Sequence, residues 1–146
     1  SPSGQKQMSQ QLALEIAAEI EHLSSLLERL DAFGEEHAWS AQALYHVRLV
    51  VEEMVVNVID HGSMQGQQRP TVKVELLQTG TQLQIKVSDD GLAFDPLKQA
   101  APDTESNLED RPVGGLGVHF LRTLMDSVSY QRVEGWNRLR FAKQVC

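Results

Sequence analysis

The chain has 146 residues and a mass of 16.3 kDa, the size of one ordinary domain with a buried core. Its 41% hydrophobic and 23% charged residues are close to the globular average, which excludes disordered and fibrous classes. The net charge of −7 disfavours nucleic acid and anionic membranes as partners, and no apolar run reaches the roughly 18 residues of a membrane span. The one cysteine, Cys146, cannot form a disulfide within the chain, so we expect a reducing cytoplasm as its location.

The first part of the chain predicts a tail, a strand and a helix. Its opening residues are small and polar, and we expect a flexible tail at residues 1–10 before a single domain at residues 11–146. Apolar and polar residues alternate at 12–16, which predicts a short strand. From Ala17 to Phe33 the apolar residues recur at helical spacing, and Gly34 is predicted to end that helix.

A second helix and two hairpins are predicted further along the chain. Ser40 is suited to cap a helix that runs to about Asp60. Alternating residues at 72–76 and 83–87 predict two strands joined across Thr79-Gly80. A last hairpin is predicted to turn at Glu134-Gly135.

Between the two hairpins lies a long segment, at about 97–113, that is rich in Pro, Asp, Glu, Ser and Asn. Segments of this length in compact domains tend to be lids or binding loops. Gly114–Gly117 then opens a helix whose inward side chains are predicted to be Val118, Leu121, Leu124, Met125 and Val128. The element order predicts an α+β fold, a two-layer α/β sandwich in which helices cover one face of a mixed, mostly antiparallel sheet.

The second helix carries a polar stripe beside its apolar face. Glu53, Asn57 and His61 are spaced four residues apart and so share one side of the helix, whereas Glu52 lies on another flank. Because unpartnered buried polar groups are costly, something must satisfy them. A neighbouring loop or water is one interpretation; a magnesium–nucleotide site, with Asn as metal ligand and Glu as base, is the other.

Two glycine-containing segments suggest where a ligand would bind. Asp89-Asp90-Gly91 ends a strand, where a carboxylate can accept a hydrogen bond from an exocyclic amine, although Asp-Gly is also common in ordinary turns. Gly114–Gly117 precedes a helix, and its free backbone N–H groups suit phosphate, although a hinge or a tightly packed helix start would also use glycine.

Taken in order, the three segments resemble a known superfamily. Glu53-x-x-x-Asn57-x-x-x-His61-Gly62, Asp89-x-Gly91 and Gly115-x-Gly117 are similar to the N, G1 and G2 boxes of the GHKL ATPases, which have the Bergerat or histidine-kinase-like ATPase fold. Within that superfamily the small size and the segments 51–57 and 114–126 look most like the RsbW-type anti-sigma factor serine/threonine kinases. The resemblance extends over almost the whole chain.

The resemblance implies roles for individual residues. Glu53 would be the general base, Asn57 would hold the Mg²⁺ of ATP, and Asp89 would bind the adenine amino group. The other implied nucleotide-binding residues are Gly91, Ala93, Gly114, Gly115, Leu116, Gly117 and Val118. His61 is expected near the site.

The chain departs from the superfamily pattern at two positions. Ala93 stands where many members have a second G1 glycine, and the Phe-Asp-Pro after it resembles variants of the anti-sigma subgroup. Some relatives carry a basic residue directly before the G2 glycines, where this chain has Pro112-Val113; Arg111 is the nearest candidate for reaching the γ-phosphate, and a solvated loop charge is the other interpretation of it.

The resemblance also implies partners. The protein would use ATP and Mg²⁺ to phosphorylate a STAS-type anti-anti-sigma factor on Ser or Thr, would bind a sigma factor or equivalent target, and would form a homodimer through its first strand and nearby helices. A nucleotide-gated binding module without kinase activity is the alternative. The catalytic domain of a histidine kinase is a third, less favoured because no helical hairpin precedes the second helix. The five histidines lack zinc-type spacing, which disfavours a metal enzyme.

Overall fold

Strands that mostly alternate between inward and outward side chains form two layers with three amphipathic helices in the computed structural model, which describes residues 9–64, 66–98 and 115–146. The strands of this part are β1 (Ser9–Ala17), β2 (Thr71–Thr79), β3 (Gln82–Asp89), β4 (Ser127–Val133) and β5 (Trp136–Gln144). Its helices are α1 (Leu23–Glu36), α2 (Ala41–His61) and α3 (Gly115–Leu124), with short 3₁₀ turns at Ile20–His22 and Pro96–Lys98. None of these helices is both long and apolar enough to cross a membrane.

The sheet has the strand order β1-β2-β3-β5-β4, and helices cover one face of it, which confirms the predicted fold class. All four pairings among the described strands are antiparallel, so the parallel pair implied by a mixed sheet is absent from this part of the chain. The reason is topological. After β3 the chain reaches the far edge of the sheet through α3 and β4, and the β4–β5 hairpin then returns β5 beside β3 in the opposite direction.

The hydrophobic core fills the space between the sheet and the helices. Helix α2 packs on β3 and β5, α1 packs on α2 and β1, and α3 packs on α2 and β4. Full burial of each large side chain contributes about 1.5–3 kcal/mol to stability. The largest fully buried side chains are Leu30, Leu83, Ile85, Leu121, Val47, Val50, Val51, Val55, Val72, Val74 and Val145.

Helix α1 does not end at Gly34, contrary to the prediction. It continues to Glu36, and the left-handed residue that ends it is Ala38, with a φ of 57°. The N–H of Ala38 donates to the carbonyl of Glu35 and that of Trp39 to the carbonyl of Gly34, the two bonds of a Schellman cap. A Cβ on residue 34 would lie only 2.7 Å from the Trp39 ring, so glycine is there because the tryptophan packs on it.

Other predicted boundaries agree with the structure or shift slightly. Ser40 caps α2 by accepting a hydrogen bond from the N–H of Ala43 at 3.1 Å, as predicted. Both predicted hairpins form. Strand β1 begins at Ser9, so the last two residues assigned to the tail pair with β2 instead. Val128, predicted to lie on the last helix, belongs to β4.

Candidate functional site

The polar stripe of α2 lies at the end of the helix nearest β3 and β5. Asn57 is buried, with 7% of its surface exposed, and its side-chain Nδ2 has no hydrogen-bond partner among the described residues. His61 is exposed at the last turn, and its ring stacks on Phe94 with 6.0 Å between ring centroids. Glu53 is half-buried one turn before Asn57. Glu53, Asn57 and His61 therefore follow one another along one side of α2, as their spacing predicts.

A cavity of about 40 Å³ opens beside this stripe. It brings together Asn57 and His61 from α2 with Asp89 from the end of β3, which the sequence places in separate motifs. This volume is far below the roughly 300–1,000 Å³ of ordinary ligand pockets, so a purine ring enters only if the covering side chains move. The remaining lining residues are Met54, Val58, Gly62, Val87, Ser88, Phe94, Pro96, Tyr130, Asn137 and Leu139.

Asp89 is a buried carboxylate held by a single side chain. The Nδ2 of Asn137 lies 2.9 Å from each of its two carboxylate oxygens. Burial raises the pKa of Asp89, and the hydrogen bonds from Asn137 oppose that rise. A carboxylate has about four lone-pair sites, so Asp89, which lines the cavity, retains acceptor capacity beyond the two bonds from Asn137.

The segment after Asp89 is hydrogen-bonded to Gly62, the residue that follows α2. The N–H of Leu92 donates to the carbonyl of Gly62 at 2.9 Å. A Cβ on residue 91 would lie 2.4 Å from that same carbonyl oxygen, a distance no side chain tolerates. In the structure the missing side chain of Gly91 admits the backbone of Gly62. The close contact joins the N-box and G1 segments into one unit.

Glu53 lies against the first turn of α3. A Cβ on residue 117 would be 3.0 Å from the Oε2 of Glu53 and 3.1 Å from its Cβ, so Gly117 allows α3 to approach this carboxylate. Desolvation raises the pKa of Glu53, and the neighbouring charge of Glu52 adds to the rise. A carboxylate with a raised pKa, next to a helix start, is suited to accept a proton from a hydroxyl group.

The other predicted nucleotide-binding residues are placed as follows. Gly115 is the first residue of α3, followed by Leu116, and Val118 is buried with 2% exposure. Ala93 is exposed and lines a separate outer groove rather than the Asp89 cavity. Gly114, Arg111 and most of the predicted lid lie outside the described residues. The roles given to all of these positions remain predictions.

Sequence reasoning missed Asn137. It is 8% exposed and stands directly opposite Asp89 in the β3–β5 register. A signal for it exists in the sequence. In the last predicted strand the inward positions alternate as Asn137, Leu139 and Phe141, so one polar residue is placed on the core face without a partner in its own strand.

The segment before α2 bears on the histidine-kinase alternative. Among the described residues it contains one strand, one 3₁₀ turn and one helix, which is not the helical hairpin that a phosphoacceptor histidine requires. The candidate histidine, His22, is exposed on the turn, 3.4 Å from the carboxylate of Glu19.

The residues around the cavity fit a magnesium–nucleotide ligand. Asn57 is a buried amide whose Nδ2 has no partner among the described residues, and its Oδ1 is a neutral oxygen of the kind that Mg²⁺ accepts as a ligand. Asp89 supplies a buried acceptor, and the start of α3 supplies backbone N–H groups beside Glu53. Asn57 and Asp89 line one cavity, and the start of α3 packs on Glu53, one turn of α2 before Asn57.

Sequence comparisons agree with this geometry. A family model described as a histidine kinase-like ATPase domain matches residues 16–143. The chain is 29% identical over 126 residues to the serine/threonine-protein kinase BtrW of Bordetella bronchiseptica, covering 86% of this chain and 88% of that protein. It is 28% identical over 132 residues to the serine-protein kinase RsbW of Listeria monocytogenes, covering 88% and 83%.

A comparison with solved structures supports the fold. The chain superposes with a TM-score of 0.68 and 13% identity on a crystal structure of the RsbU and RsbW domains of Rv1364c from Mycobacterium tuberculosis. The match covers 93% of this chain and 32% of that longer one. At this identity the likeness concerns the fold alone.

Proposed function

Because the chain belongs to the histidine kinase-like ATPase domain family, we propose that it is an ATP-dependent serine/threonine protein kinase of the anti-sigma type. The observation that carries the proposal is the convergence of Asn57 and Asp89 on one cavity, with Glu53 one helical turn away. The proposal agrees with the names of two relatives, a serine/threonine-protein kinase and a serine-protein kinase.

Each residue has a defined task in this proposal. Asp89 accepts a hydrogen bond from the adenine amino group, because its free lone pairs face the cavity. Asn57 holds the Mg²⁺, which neutralises phosphate charge when bound. The backbone N–H groups at Gly115 and Gly117 bind phosphate oxygens at the start of α3. The family resemblance assigns the rest of the proposed nucleotide-binding set, which is Ala93, Gly114, Leu116 and Val118.

The transfer step uses Glu53 as the base. The carboxylate takes the proton from the hydroxyl of a substrate Ser or Thr while that oxygen forms a bond to the γ-phosphorus. The bond between the γ-phosphorus and the bridging oxygen breaks, and ADP leaves with the electron pair. The raised pKa of Glu53 brings its basicity closer to that needed near neutral pH.

The proposed partners follow from the same family. The substrate is a STAS-type anti-anti-sigma factor, and the second partner is a sigma factor or an equivalent target. We also propose a homodimer that uses the first strand, because β1 is an edge strand with unpaired backbone groups. Light scattering that reports a monomer at high micromolar concentration would contradict the dimer without affecting the nucleotide site.

The decisive experiment measures binding and transfer separately. Calorimetric titration with ATP and Mg²⁺ is done on the wild type and on Glu53→Gln, and transfer from radiolabelled ATP is assayed with the STAS-domain proteins of the same genome at pH 8. We expect Glu53→Gln to bind ATP like the wild type and to lose transfer by about 10²- to 10⁴-fold, the range for removal of a general base.

Glu52→Gln is the matched control, since it removes a neighbouring carboxylate that lies on another flank of α2. At pH 8 it should keep transfer within about twofold, because Glu52 lies on another flank of α2 and acts on Glu53 only through its charge. ATP binding by the wild type with no transfer to any STAS protein would favour the binding-module alternative. Equal transfer by Glu53→Gln and the wild type would remove Glu53 from its role, and absence of ATP binding would reject the proposal.

A further inference from the structure

The buried side-chain amide of Asn137 hydrogen-bonds to Asp89, to the segment after it and to Tyr130 at one end of the cavity. The Nδ2 of Asn137 donates to both oxygens of Asp89, each at 2.9 Å, and to the carbonyl of Leu92 at 2.8 Å. Its Oδ1 accepts from the N–H of Phe94 at 3.2 Å and from the hydroxyl of Tyr130. The two hydrogens and two lone pairs of a side-chain amide are thereby all in use.

This pattern of partners selects asparagine. Asp89 and the Leu92 carbonyl need a donor, whereas the Phe94 N–H and the Tyr130 hydroxyl need an acceptor. Among side chains of this size only a neutral amide offers both from one planar group. An aspartate would set two carboxylates against each other, and a leucine of similar volume would leave all of these buried groups without their partner.

The same amide also holds the segment that covers the cavity. Its bonds to Leu92 and Phe94 fix the chain after Asp89, and the Phe94 ring stacks on His61 at the opposite rim. The orientation of the Asp89 carboxylate and the position of the segment 92–94 thus both depend on the side chain of Asn137.

We propose that Asn137 is a positioning residue that sets the base selectivity of the site by orienting the carboxylate of Asp89 and tying it to the segment 92–94. The inference rests on the proposed function, since it concerns how that site distinguishes an adenine amino group from a carbonyl. With Asn137 in place, one side of Asp89 is occupied by donated hydrogen bonds, and the other is presented to the cavity as an acceptor for an exocyclic amine. Without it, the carboxylate is free to rotate or to become protonated, and the discrimination is lost.

The test compares ATP with inosine triphosphate, which carries a carbonyl oxygen in place of the 6-amino group. Dissociation constants for both are measured with Mg²⁺ on the wild type, Asn137→Leu and Tyr130→Phe. We expect Asn137→Leu to weaken ATP binding by about 10- to 100-fold, the contribution of a hydrogen bond to a charged group, and to weaken inosine triphosphate binding by less than about threefold.

Tyr130→Phe is the matched control. It removes one bond to the Oδ1 of Asn137 and leaves the bonds from Nδ2 to Asp89 intact, so its ratio of the two affinities should stay within about twofold of the wild type. If Asn137→Leu does not fold, Asn137→Ser replaces it, since it keeps a single donor and should show an intermediate ratio.

The outcomes separate the inference from the proposed function. A variant at position 137 that weakens both nucleotides equally, or neither, keeps the selectivity ratio and overturns the positioning role while leaving the nucleotide site in place. A collapse of the ratio in Tyr130→Phe as large as in Asn137→Leu also contradicts it. A wild type that binds neither nucleotide overturns the proposed function and this inference with it.

Discussion

Two buried polar clusters lie beneath the same helical layer, and they differ in how completely their hydrogen bonds are used. In the first, the indole Nε1 of Trp39 donates to the Oε1 of Gln78 at 2.7 Å, and the Nε2 of Gln78 donates to the carbonyl of Gly80 at 3.0 Å. In the second, Asp89 is bound by Asn137, but the Nδ2 of Asn57 has no partner among the described residues.

The difference separates a structural cluster from a site. Most buried polar groups that serve only stability satisfy one another, because an unmade hydrogen bond costs about 1–3 kcal/mol. The Trp39–Gln78 cluster follows this rule and joins the end of α1 to β2. The second cluster leaves donor and acceptor capacity pointed at a cavity, which is the arrangement expected where a polar ligand completes the bonding.

The largest expected effect comes from breaking the unsatisfied cluster. Asn57→Ala should lower the affinity for ATP–Mg²⁺ by at least about 100-fold. Loss of a residue that only supports a metal ligand already costs about 10- to 100-fold in affinity, and Asn57 is proposed to be a ligand itself. The free energy of unfolding should change by less than about 1 kcal/mol, because the Nδ2 of Asn57 has no hydrogen bond to lose among the described residues. Calorimetric titration and urea denaturation measure the two quantities. A large loss of stability with unchanged nucleotide affinity would show that the amide is structural.

Disrupting the Trp39–Gln78 cluster should instead lower the stability of the protein and leave its nucleotide affinity unchanged. Trp39→Phe keeps an aromatic ring beside Gly34 and removes the indole donor, so the Oε1 of Gln78 is left buried without its partner. We expect a loss of about 2 kcal/mol in the free energy of unfolding, with the affinity for ATP–Mg²⁺ unchanged. Urea denaturation tests the first part. If nucleotide affinity falls along with stability, the two clusters are coupled and the distinction between them fails.

The smallest expected effect is a shift in the pH dependence of the transfer rate. In its proposed role Glu53 accepts a proton only when ionised, so its raised pKa should place the acid limb of the transfer rate at higher pH than an ordinary glutamate would. Glu52→Gln removes one cause of that rise, so the limb should move to lower pH, while desolvation keeps it above the ordinary position. Single-turnover rates across the acid range measure the shift. Movement toward higher pH would contradict the assignment of Glu53 as base.

Much of the site follows from sequence periodicity. The spacing of Glu53, Asn57 and His61 places them on one helix face whatever surrounds the helix, and Asp89 was located at a strand end by the alternation before it. Periodicity could not pair Asp89 with Asn137, because the two are 48 residues apart and only the β3–β5 register sets them opposite each other. It also gave no reason for Gly91, whose neighbour is the backbone of Gly62.

The sequence by itself determined the elements of this protein: hairpins at Gly-containing turns, a capped apolar helix with one polar stripe, and a glycine run before the last helix. These are properties of local spacing, because side-chain direction repeats with fixed period along a strand or helix. The tertiary structure decided that the pairings among the described strands are all antiparallel, that α1 ends at the left-handed Ala38 rather than at Gly34, and that Asn137 holds Asp89. Those outcomes depend on which distant groups meet, and long-range contact is a property of the packed chain.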